Sequence, residues 1–359
     1  CSKKIVFSGD IGNKNKPLIR SPQYIRQADY VVMESTYGGR FHKNTGDHVE
    51  EFARVIQETL DKGGNVVIPA FSVGRTQELL YFLRRIKTEN LMKEYQDFEV
   101  YIDSPLAVEA TGIFHKNVAE CFDEEALELV GKGINPIRFD GLKMAITSDE
   151  SKMINFNEKS KVIISASGMC EAGRIRHHLK HNLWRADSTI VFVGFQVPGT
   201  LGHSLLNGVK EVKLFGEQIE VHAKIMNLPG LSGHADKRML TEWIKAYKTP
   251  LKRVFIVHGD DEVCDGFAAY LREELGLDAV APYSGDTFDL VLNQQTAQGS
   301  RDLVKKKTKS SKASSNVFAR LLAAGERLLA VIQKNEGTAN KDMAKFADQI
   351  NALCEKWDR

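Results

Sequence analysis

The chain has 359 residues, 42% of them hydrophobic, and its 49 basic residues nearly balance its 47 acidic ones, which predicts a globular protein of about two domains and excludes a global basic field. The cysteines Cys1, Cys121, Cys170, Cys264 and Cys354 are scattered and form no Cys-x-x-Cys pair, which argues against a disulfide framework or zinc ribbon and favours a reduced, cytoplasmic setting. No signal peptide is evident and no segment approaches the roughly 20 apolar residues needed to span a bilayer, so we expect no membrane partner.

Seven short runs rich in β-branched residues are bounded by turn residues and predict buried strands. In chain order they are KKIVFSG, DYVVMES, GNVVIPAF, FEVYIDS, KVIISAS, STIVFVGF and RVFIVHG. Helical patterns lie between several of them. Strands that alternate with helices of this length predict an α/β class with mostly buried sheets.

Three amphipathic helices are predicted among these strands. In the first, DHVEEFARVIQETLDKGG, Asp47 and Glu50 resemble a capping box. Its apolar face consists of Val49, Phe52, Ile56 and Leu60. The second helix runs from about Thr76 to Lys87, and the third is ADKRMLTEWIKAYK. The side chains expected to face inward from the third are Met239, Leu240, Trp243, Ile244 and Tyr247.

The last part of the chain differs in composition from the rest. Residues 301 to about 315, RDLVKKKTKSSKASS, are rich in lysine and serine and have little to bury, so we expect a solvated linker. The residues after this segment have helical periodicity, with leucine and alanine on one side. This pattern predicts a two-helix extension that docks or forms a homodimer.

Several polar residues directly follow predicted strands, where α/β sheets present their sites. Asp10 follows IVFSG, Glu34 follows YVVM and His258 follows RVFIV, while His234, in GLSGHAD, precedes the third helix. An acid at a strand end is more often a turn or cap residue, and a lone histidine is more often a core residue. Four such residues, all flanked by glycine or serine, nevertheless favour a functional site.

Carboxylate and imidazole side chains together are the ligand set of zinc, and hydrolytic zinc sites leave a position open for water. Two metal ions roughly 3.5 to 4 Å apart can share one carboxylate, a role that is chemically open to Asp10. Asp10 and His258 cannot hold two zinc ions by themselves, because each ion needs three or more protein ligands.

The segments FSGDIGN, VVMESTYG, GLSGHAD and FIVHGD stand in this order in the chain. Their order and separations resemble the later motifs of metallo-β-lactamase-fold nucleases of the β-CASP group, which includes the pre-mRNA 3′-end-processing endonuclease subunit and ribonuclease J. The segments between them are similar to the inserted β-CASP domain: PAFSVGRTQELL, YIDSPLA, ISASGMCEAGRIRHHL and VFVGFQVPGTLGHSLL. The resemblance covers residues 1 to about 290.

This resemblance implies a zinc-dependent hydrolase that cleaves phosphodiester bonds in single-stranded RNA and uses two zinc ions. Asp10 would bridge the two ions, and His258 would bind the second. His234 would be the catalytic histidine that protonates the leaving oxygen after attack by a metal-bound hydroxide, and Glu34 would be hydrogen-bonded to it. Hydrolysis would leave a 3′-hydroxyl and a 5′-phosphate.

One part of the family pattern is missing. The first metal-binding motif, His-x-His-x-Asp-His, and a further histidine before the Asp10 equivalent do not occur in the chain. RHHLKH, residues 176–181, is not a substitute, because it lies in the β-CASP match on a predicted helix. We expect a surface helix end there or, for His177 and His178, a contact with RNA phosphate. Because the chain begins with Cys1, we expect a fragment that alone binds metal poorly and is inactive.

The inserted domain also contains candidate RNA-binding residues. The SGM turn follows a predicted strand, and the exposed backbone N–H groups of such a turn suit phosphate oxygens. The alternative is a turn needed only for folding, just as the arginines of this region could simply be solvated. The candidate phosphate contacts are Ser167, Gly168, Met169, Arg75, Arg174, Arg176 and His177.

We therefore expect a partial metallo-β-lactamase αββα sandwich with an inserted α/β β-CASP domain and a helical C-terminal tail. The metallo-β-lactamase domain would comprise residues 1–44 and 228–295, on either side of a β-CASP domain at 45–227, with a linker at 296–315 and a helical extension at 316–359. The site would lie in the cleft between the two domains.

Two other functions fit parts of the pattern. A non-catalytic homologue could act as a scaffold in an RNA-processing complex, but such relatives tend to lose the metal and acid residues that are present here. A small-molecule hydrolase of the broader fold is disfavoured by the inserted domain, because a lid over the cleft suits a threaded polymer.

Overall fold

A computed structural model describes residues 2–42, 48–92, 94–95, 97–228, 232–301, 313–335 and 340–357. The chain divides into two compact units, Cys1–Ser300 and Arg301–Arg359. The predicted capping residue Asp47 lies outside the described residues.

The first unit alternates strands and helices along most of its length. Its strands are β1 (Ile5–Phe7), β2 (Tyr30–Glu34), β3 (Val66–Pro69), β4 (Glu99–Asp103), β5 (Leu142–Met144), β6 (Lys161–Ser165), β7 (Thr189–Phe192), β8 (Glu211–Leu214), β9 (Glu217–Glu220), β10 (Lys224–Asn227), β11 (Arg253–Val257), β12 (Ala279–Val280), β13 (Thr287–Asp289) and β14 (Gln294–Ala297). Its helices are α1 (His48–Leu60), α2 (Arg75–Thr88), α3 (Pro105–Lys116), α4 (Val118–Cys121), α5 (Glu124–Gly131), α6 (Ser148–Phe156), α7 (Ile175–Asn182), α8 (Leu201–Leu206), α9 (Lys237–Lys245) and α10 (Asp261–Leu275).

The first sheet is parallel, with the strand order β1–β2–β11–β12. Its centre is the pair β2 and β11, in which Val31 is in register with Val254 and Glu34 with Val257. The apolar faces of α9 and α10 cover this pair, which buries the 3.6-residue stripe of each helix. The buried side chains include Val31, Met33, Val254, Ile256, Leu240, Trp243, Ile244, Phe267 and Leu271.

The second sheet is also parallel, with the order β10–β7–β3–β6–β4–β5. Its central strands are buried on both faces, which explains their continuous apolar sequences. Because successive side chains of a strand point to opposite faces, Val66 and Ile68 belong to one core and Val67 to the other. Helices α1 and α2 contribute to the first of these cores, and α7 and α8 to the second.

The predicted α/β class, with parallel sheets, is confirmed. Each of the seven predicted strands is a strand, and the predicted helices correspond to α1, α2 and α9. The prediction that all seven strands are buried is wrong for β1, an edge strand in which Ile5 and Phe7 are exposed. The side chains expected on the apolar face of α1 are all buried. On the third helix, Met239 and Tyr247 are only partly buried, and Tyr247 lies beyond the helix end at Lys245. The predicted domain bounds at 44, 227 and 295 remain predictions.

The predicted linker at 296–315 remains a prediction, like the other domain bounds. Strand β14 extends to Ala297 in an antiparallel hairpin with β13, and the helix α11 (Ala313–Lys334) begins at Ala313. Residues 302–312 of the linker lie outside the described residues. A second helix, α12 (Asn340–Trp357), follows α11 in the second unit, as the helical pattern predicted. Among the described helices, none has both the length and the apolar character required to cross a bilayer.

Gly64, between α1 and β3, is a position where the backbone of another segment approaches closely. A Cβ atom at this position would lie 2.0 Å from the carbonyl oxygen of Asp187, which is backbone and cannot rotate away. We therefore expect Gly64→Ala to lower the free energy of unfolding by about 1–3 kcal/mol, the usual cost of overpacking. Urea denaturation measures this change.

Gly112, inside α3, supplies the matched control, because a Cβ there would meet no described atom within 4 Å. Gly112→Ala should leave stability unchanged or raise it by up to about 1 kcal/mol through helix propensity. Equal effects of the two substitutions would contradict the packing described at Gly64.

Candidate active site

The carboxyl ends of β1, β2 and β11 lie side by side at one edge of the first sheet, because these strands are parallel neighbours. Glu34 is the last residue of β2, and His258 directly follows the end of β11. Asp10 lies in the turn after β1, which ends at Phe7. His234, just before α9, joins them through a backbone bridge to Gly12. The structure thus brings together the four polar residues that the sequence singled out.

The carboxylate of Glu34 lies at the centre of this group and is only 1% exposed. Its Oε1 accepts a hydrogen bond from the backbone N–H of Ile11. Its Oε2 accepts hydrogen bonds from the Thr36 hydroxyl at 2.6 Å and from Nδ1 of His234 at 2.9 Å. A buried carboxylate requires such donors, since desolvation without them is costly. These donors fix the orientation of Glu34.

The hydrogen bond to Glu34 also fixes the ring of His234. Because Nδ1 donates to the carboxylate, Nε2 is the ring nitrogen left for other contacts. The Tyr37 ring packs edge-on against the imidazole, with the ring centroids 6.0 Å apart. The hydrogen bond from His234 to Glu34 raises the pKa of the imidazole above its usual value, although partial burial opposes the rise. A raised pKa favours the protonated imidazole, which is the form that can act as a general acid.

His258 is connected to the same group through Thr36. The Thr36 hydroxyl lies 3.0 Å from Nδ1 of His258, and this nitrogen is 3.7 Å from Oδ1 of Asp10. The φ of His258 is 52°, a left-handed conformation that few non-glycine residues adopt and that is found at functional sites. Both Asp10 and His258 have largely exposed side chains, so a ligand can reach them.

Asp10, His234 and His258 form a group that could hold a metal ion. Each offers one ligand atom, and these atoms all lie within 4.8 Å of one another. One carboxylate and two imidazoles are the donor types that zinc prefers in hydrolytic sites. The residues of the site therefore fit a zinc ion.

A cavity of about 860 Å³ adjoins this group. Asp10, Lys16 and His234 line it on the side of the first sheet. Loops that follow β3, β6 and β7 line it on the side of the second sheet, through Phe71, Val73, Arg75, Gly168, Met169, Phe195, Gln196 and Val197. We call this cavity the cleft. Its two walls come from the two parallel sheets, at the carboxyl ends of their strands.

The predicted phosphate contacts fall into two groups. Arg75, Gly168 and Met169 line the cleft, and the partly buried Ser167 precedes Gly168 in the loop after β6. Arg174 and His177 are not among the described residues that line it. The guanidinium of Arg174 is held by Asp103 Oδ1 at 2.8 Å and by the carbonyl oxygen of Ile146 at 2.7 Å.

The RHHLKH segment occupies most of α7, and the prediction of a surface helix end is wrong for His178. This side chain is fully buried, with Nε2 at 2.7 Å from Asp103 Oδ2 and Nδ1 at 3.0 Å from Asn155 Oδ1. A contact between His178 and RNA phosphate is excluded by this burial. His177 stacks on the Phe215 ring, with the centroids 4.3 Å apart, and the Arg176 guanidinium lies over the same ring.

Two residues of the site were not identified from the sequence. Thr36 connects Glu34 with His258, and its only sequence signal is its position two residues after Glu34 in VVMESTYG. Lys16 lines the cleft, and its ammonium lies 3.5 Å from Oε2 of Glu78. Glu78 also pairs with Arg75. Burial lowers the pKa of Lys16.

Comparison with known proteins identifies two domain families in the chain. Residues 76–205 match the Beta-Casp domain, and residues 218–282 match the Zn-dependent metallo-hydrolase RNA specificity domain. The first match covers α2 to α8 and most strands of the second sheet. The second match covers α9, β11 and α10, and so includes both His234 and His258.

Several relatives share most of this chain. Ribonuclease TTHA0252 of Thermus thermophilus is 36% identical over 260 residues, which are 72% of this chain and 58% of that protein. Transcription termination factor FttA of Methanosarcina mazei is 30% identical over 296 residues, 80% of this chain and 46% of that protein. The RNase J-like protein of Methanocaldococcus jannaschii is 29% identical over 286 residues, 79% of this chain and 64% of that protein. The chain spans about half the length of the curated relatives it matches.

The first sheet is parallel, with acid and imidazole side chains at its strand ends, and the second sheet matches an inserted domain. These features place the chain among the metallo-β-lactamase-fold proteins. Within this class, the order of the two matching domains settles the family. The chain belongs to the β-CASP family of RNA-processing proteins.

We expect Glu34→Gln to lower the pKa of His234, because the neutral amide no longer stabilises the imidazolium while the partial burial of the ring remains. In the wild type, the ion pair of Glu34 with protonated His234 adds to the free energy of unfolding. This contribution is complete at pH values below the pKa of histidine in the unfolded chain, about 6.5, and is lost as the pH rises through the higher pKa of folded His234. NMR titration of the imidazole in the metal-free chain measures the shift.

Glu58→Gln is the control, since Glu58 pairs with Lys224 and does not contact His234. It should leave the His234 titration unchanged. An unchanged titration in Glu34→Gln would show that Glu34 does not set the protonation of His234.

Proposed function

We propose that this chain carries part of the active site of a zinc-dependent ribonuclease that hydrolyses phosphodiester bonds in single-stranded RNA. The observation that carries the proposal is the hydrogen bond between buried Glu34 and His234, at a site where Asp10 and His258 also converge. The names of the Thermus ribonuclease and the RNase J-like protein support the same activity.

Asp10 and His258 would hold the metal, with Asp10 as a carboxylate able to bridge two zinc ions. His234, the third member of the group, would stay unligated so that its Nε2 can carry a proton. When bound, zinc would lower the pKa of the attacking water and offset charge on the phosphoryl oxygens. Two ions would need ligands in addition to Asp10 and His258, since each ion takes three or more protein ligands. The activity test therefore uses both this chain and the complete product of its gene.

His234 would donate its proton to the leaving oxygen. Water adds across the bond between phosphorus and the 3′ oxygen, so its hydroxyl joins phosphorus and the 3′ oxygen gains a proton. The result is a 3′-hydroxyl and a 5′-phosphate. Nε2 of His234 is suited to supply this proton, because Nδ1 is held by Glu34. Glu34 acts through His234 and is therefore a positioning residue.

The RNA backbone would run through the cleft. The cleft is lined by three cationic side chains, Lys16, Arg20 and Arg75, and by two carboxylates, Asp10 and Glu78, so its lining carries one net positive charge. A phosphate group would balance this charge. The turn at Ser167, Gly168 and Met169 is beside this path, and its backbone N–H groups would be further contacts for phosphate.

The alternative of a non-catalytic scaffold is less well supported. A scaffold has no need for a buried carboxylate that raises the pKa of a cleft histidine, yet Glu34 has this effect on His234. Other relatives are named transcription termination factors. A failed hydrolysis test would therefore favour an RNA-binding function in transcription.

A cytoplasmic location and a homodimer are the remaining parts of the proposal. Cys121, Cys170, Cys264 and Cys354 have free thiols, which suits a reducing compartment.

The second unit exposes large apolar side chains that a second copy could cover. They include Leu321, Leu322, Leu329, Leu353 and Trp357.

We expect His234→Ala to lower the rate of RNA hydrolysis about 10²–10⁴-fold, the usual contribution of a positioned general acid. The rate is measured with single-stranded RNA and added zinc, for this chain and for the complete gene product. RNA affinity should change little, because the substitution removes a proton donor and leaves the cations of the cleft in place.

His115→Ala is the matched control, because His115 is an exposed histidine near the end of α3, outside the cleft. It should cleave RNA at the wild-type rate. The proposal is wrong if the zinc-loaded complete protein leaves RNA uncut, or if His234→Ala cleaves as fast as the wild type.

A further inference from the structure

Two phenylalanine rings line the cleft with much of their surface exposed. Phe71 is 53% exposed and Phe195 is 54% exposed. Phe71 follows β3 and Phe195 follows β7, and these strands are hydrogen-bonded neighbours in the second sheet. Both rings therefore come from the same carboxyl edge of the sheet, opposite the wall that contains Asp10 and His234.

The rings belong to a larger exposed apolar surface. Val73 and Val197, from the same two loops, line the cleft and are also exposed. We call Phe71, Val73, Phe195 and Val197 the apolar wall. Scattered exposed apolar residues need no explanation, but a group of them that lines one side of a cleft marks a binding surface.

Gly168 supports one edge of the Phe71 ring. A Cβ atom at Gly168 would lie 3.2 Å from two carbon atoms of that ring and 3.3 Å from the Phe71 backbone nitrogen. The loop after β6 can approach the ring this closely only because residue 168 has no side chain. Gly168 thus packs against Phe71 in addition to any role as a phosphate turn.

The charges of the cleft indicate what the apolar wall binds. The lining of the same cleft carries one net positive charge, because Lys16, Arg20 and Arg75 outnumber the carboxylates of Asp10 and Glu78. A ligand that complements both features carries negative charges along one edge and flat apolar faces along another. Single-stranded nucleic acid has this form, and proteins that bind it combine a basic groove with aromatic side chains on which bases stack.

We propose that Phe71 and Phe195 bind unpaired nucleobases by stacking, while Lys16 and Arg75 hold the neighbouring phosphates. This inference rests on the proposed use of RNA at the site and adds the feature by which the substrate is recognised. Base faces are hidden in a duplex, so the apolar wall selects single strands. Because every base has a π face, the selection depends little on base identity.

The test measures binding of the 359-residue chain to RNA, with a chelator present to prevent hydrolysis. The probes are a fluorescent short oligouridylate, an abasic oligomer of the same length and charge, and the oligouridylate paired in a duplex. Phe71→Ala and Phe195→Ala should each weaken oligouridylate binding about 5- to 150-fold, from a stacking contribution of ~1–3 kcal/mol per base. Neither should change the weaker binding of the abasic oligomer.

Phe156→Ala is the matched control, because Phe156 is 73% exposed at the end of α6, outside the cleft. It should bind every probe as the wild type does. Phe71→Trp keeps an aromatic face and should retain oligouridylate affinity, which separates stacking from support of the fold. Thermal unfolding shows whether each variant is folded. If Phe71→Ala does not fold, the test is made with Phe195→Ala.

Equal loss of the oligouridylate and the abasic oligomer would overturn the proposal, as would tight duplex binding or unchanged affinity in both alanine variants. The experiment measures binding and needs no cleavage. A negative result would therefore count against base stacking and not against the proposed ribonuclease activity. Base-dependent binding without hydrolysis would support the apolar wall and contradict only the proposed activity.

Discussion

The buried carboxylate of Glu34 is the constraint on which the site depends. It accepts hydrogen bonds from the backbone of Ile11, the hydroxyl of Thr36 and the imidazole of His234. Removing any donor would leave part of a buried charge uncompensated, so the three segments that supply them are held together. Asp10 is in the segment before Ile11, and His258 is connected through Thr36. One carboxylate, that of Glu34, therefore fixes the positions of the residues that would bind metal and transfer a proton.

The carboxyl edges of the two sheets form the two walls of the cleft. In each sheet the strands are parallel, so the loops that follow the carboxyl ends of the strands lie at one edge. The first sheet contributes acid and imidazole groups to the cleft, and the second contributes aromatic rings and Arg75. Lys16 and Glu78 form an ion pair between the two walls. In this account, residues beside the first sheet would carry out hydrolysis, and residues beside the second sheet would bind the bases.

Much of the first sheet could be predicted from the sequence, because β2 and β11 are short apolar runs that end in a polar residue. Once parallel pairing is assumed, Glu34 and His258 must be neighbours, and the resemblance to β-CASP proteins assigned their roles. Strand β12, at the edge of this sheet, and the hairpin of β13 and β14 were not predicted, since they are short and few of their residues are buried. The pairing of β12 with β11, in which Val254 is in register with Ala279, joins segments that are separate in the sequence.

Side-chain partners were harder to predict than elements. His178 has the local sequence of a surface helix end, but it is buried, with Asp103 from β4 and Asn155 from α6 as the partners of its ring nitrogens. Arg174 is bound by the same carboxylate, a contact between residues 71 positions apart. Lys16 has no local signal, because its partner Glu78 lies in α2, which packs on the second sheet. In each case the function of the side chain follows from a long-range contact that the sequence pattern does not contain.

The most direct test of this account is the tautomer of neutral His234, measured from the nitrogen-15 shifts of its ring in the metal-free chain. An ionised Glu34 can only accept a hydrogen bond, so the account predicts that Nδ1 carries the proton and that Nε2 is free. A neutral ring protonated at Nε2 would contradict the central role given to Glu34.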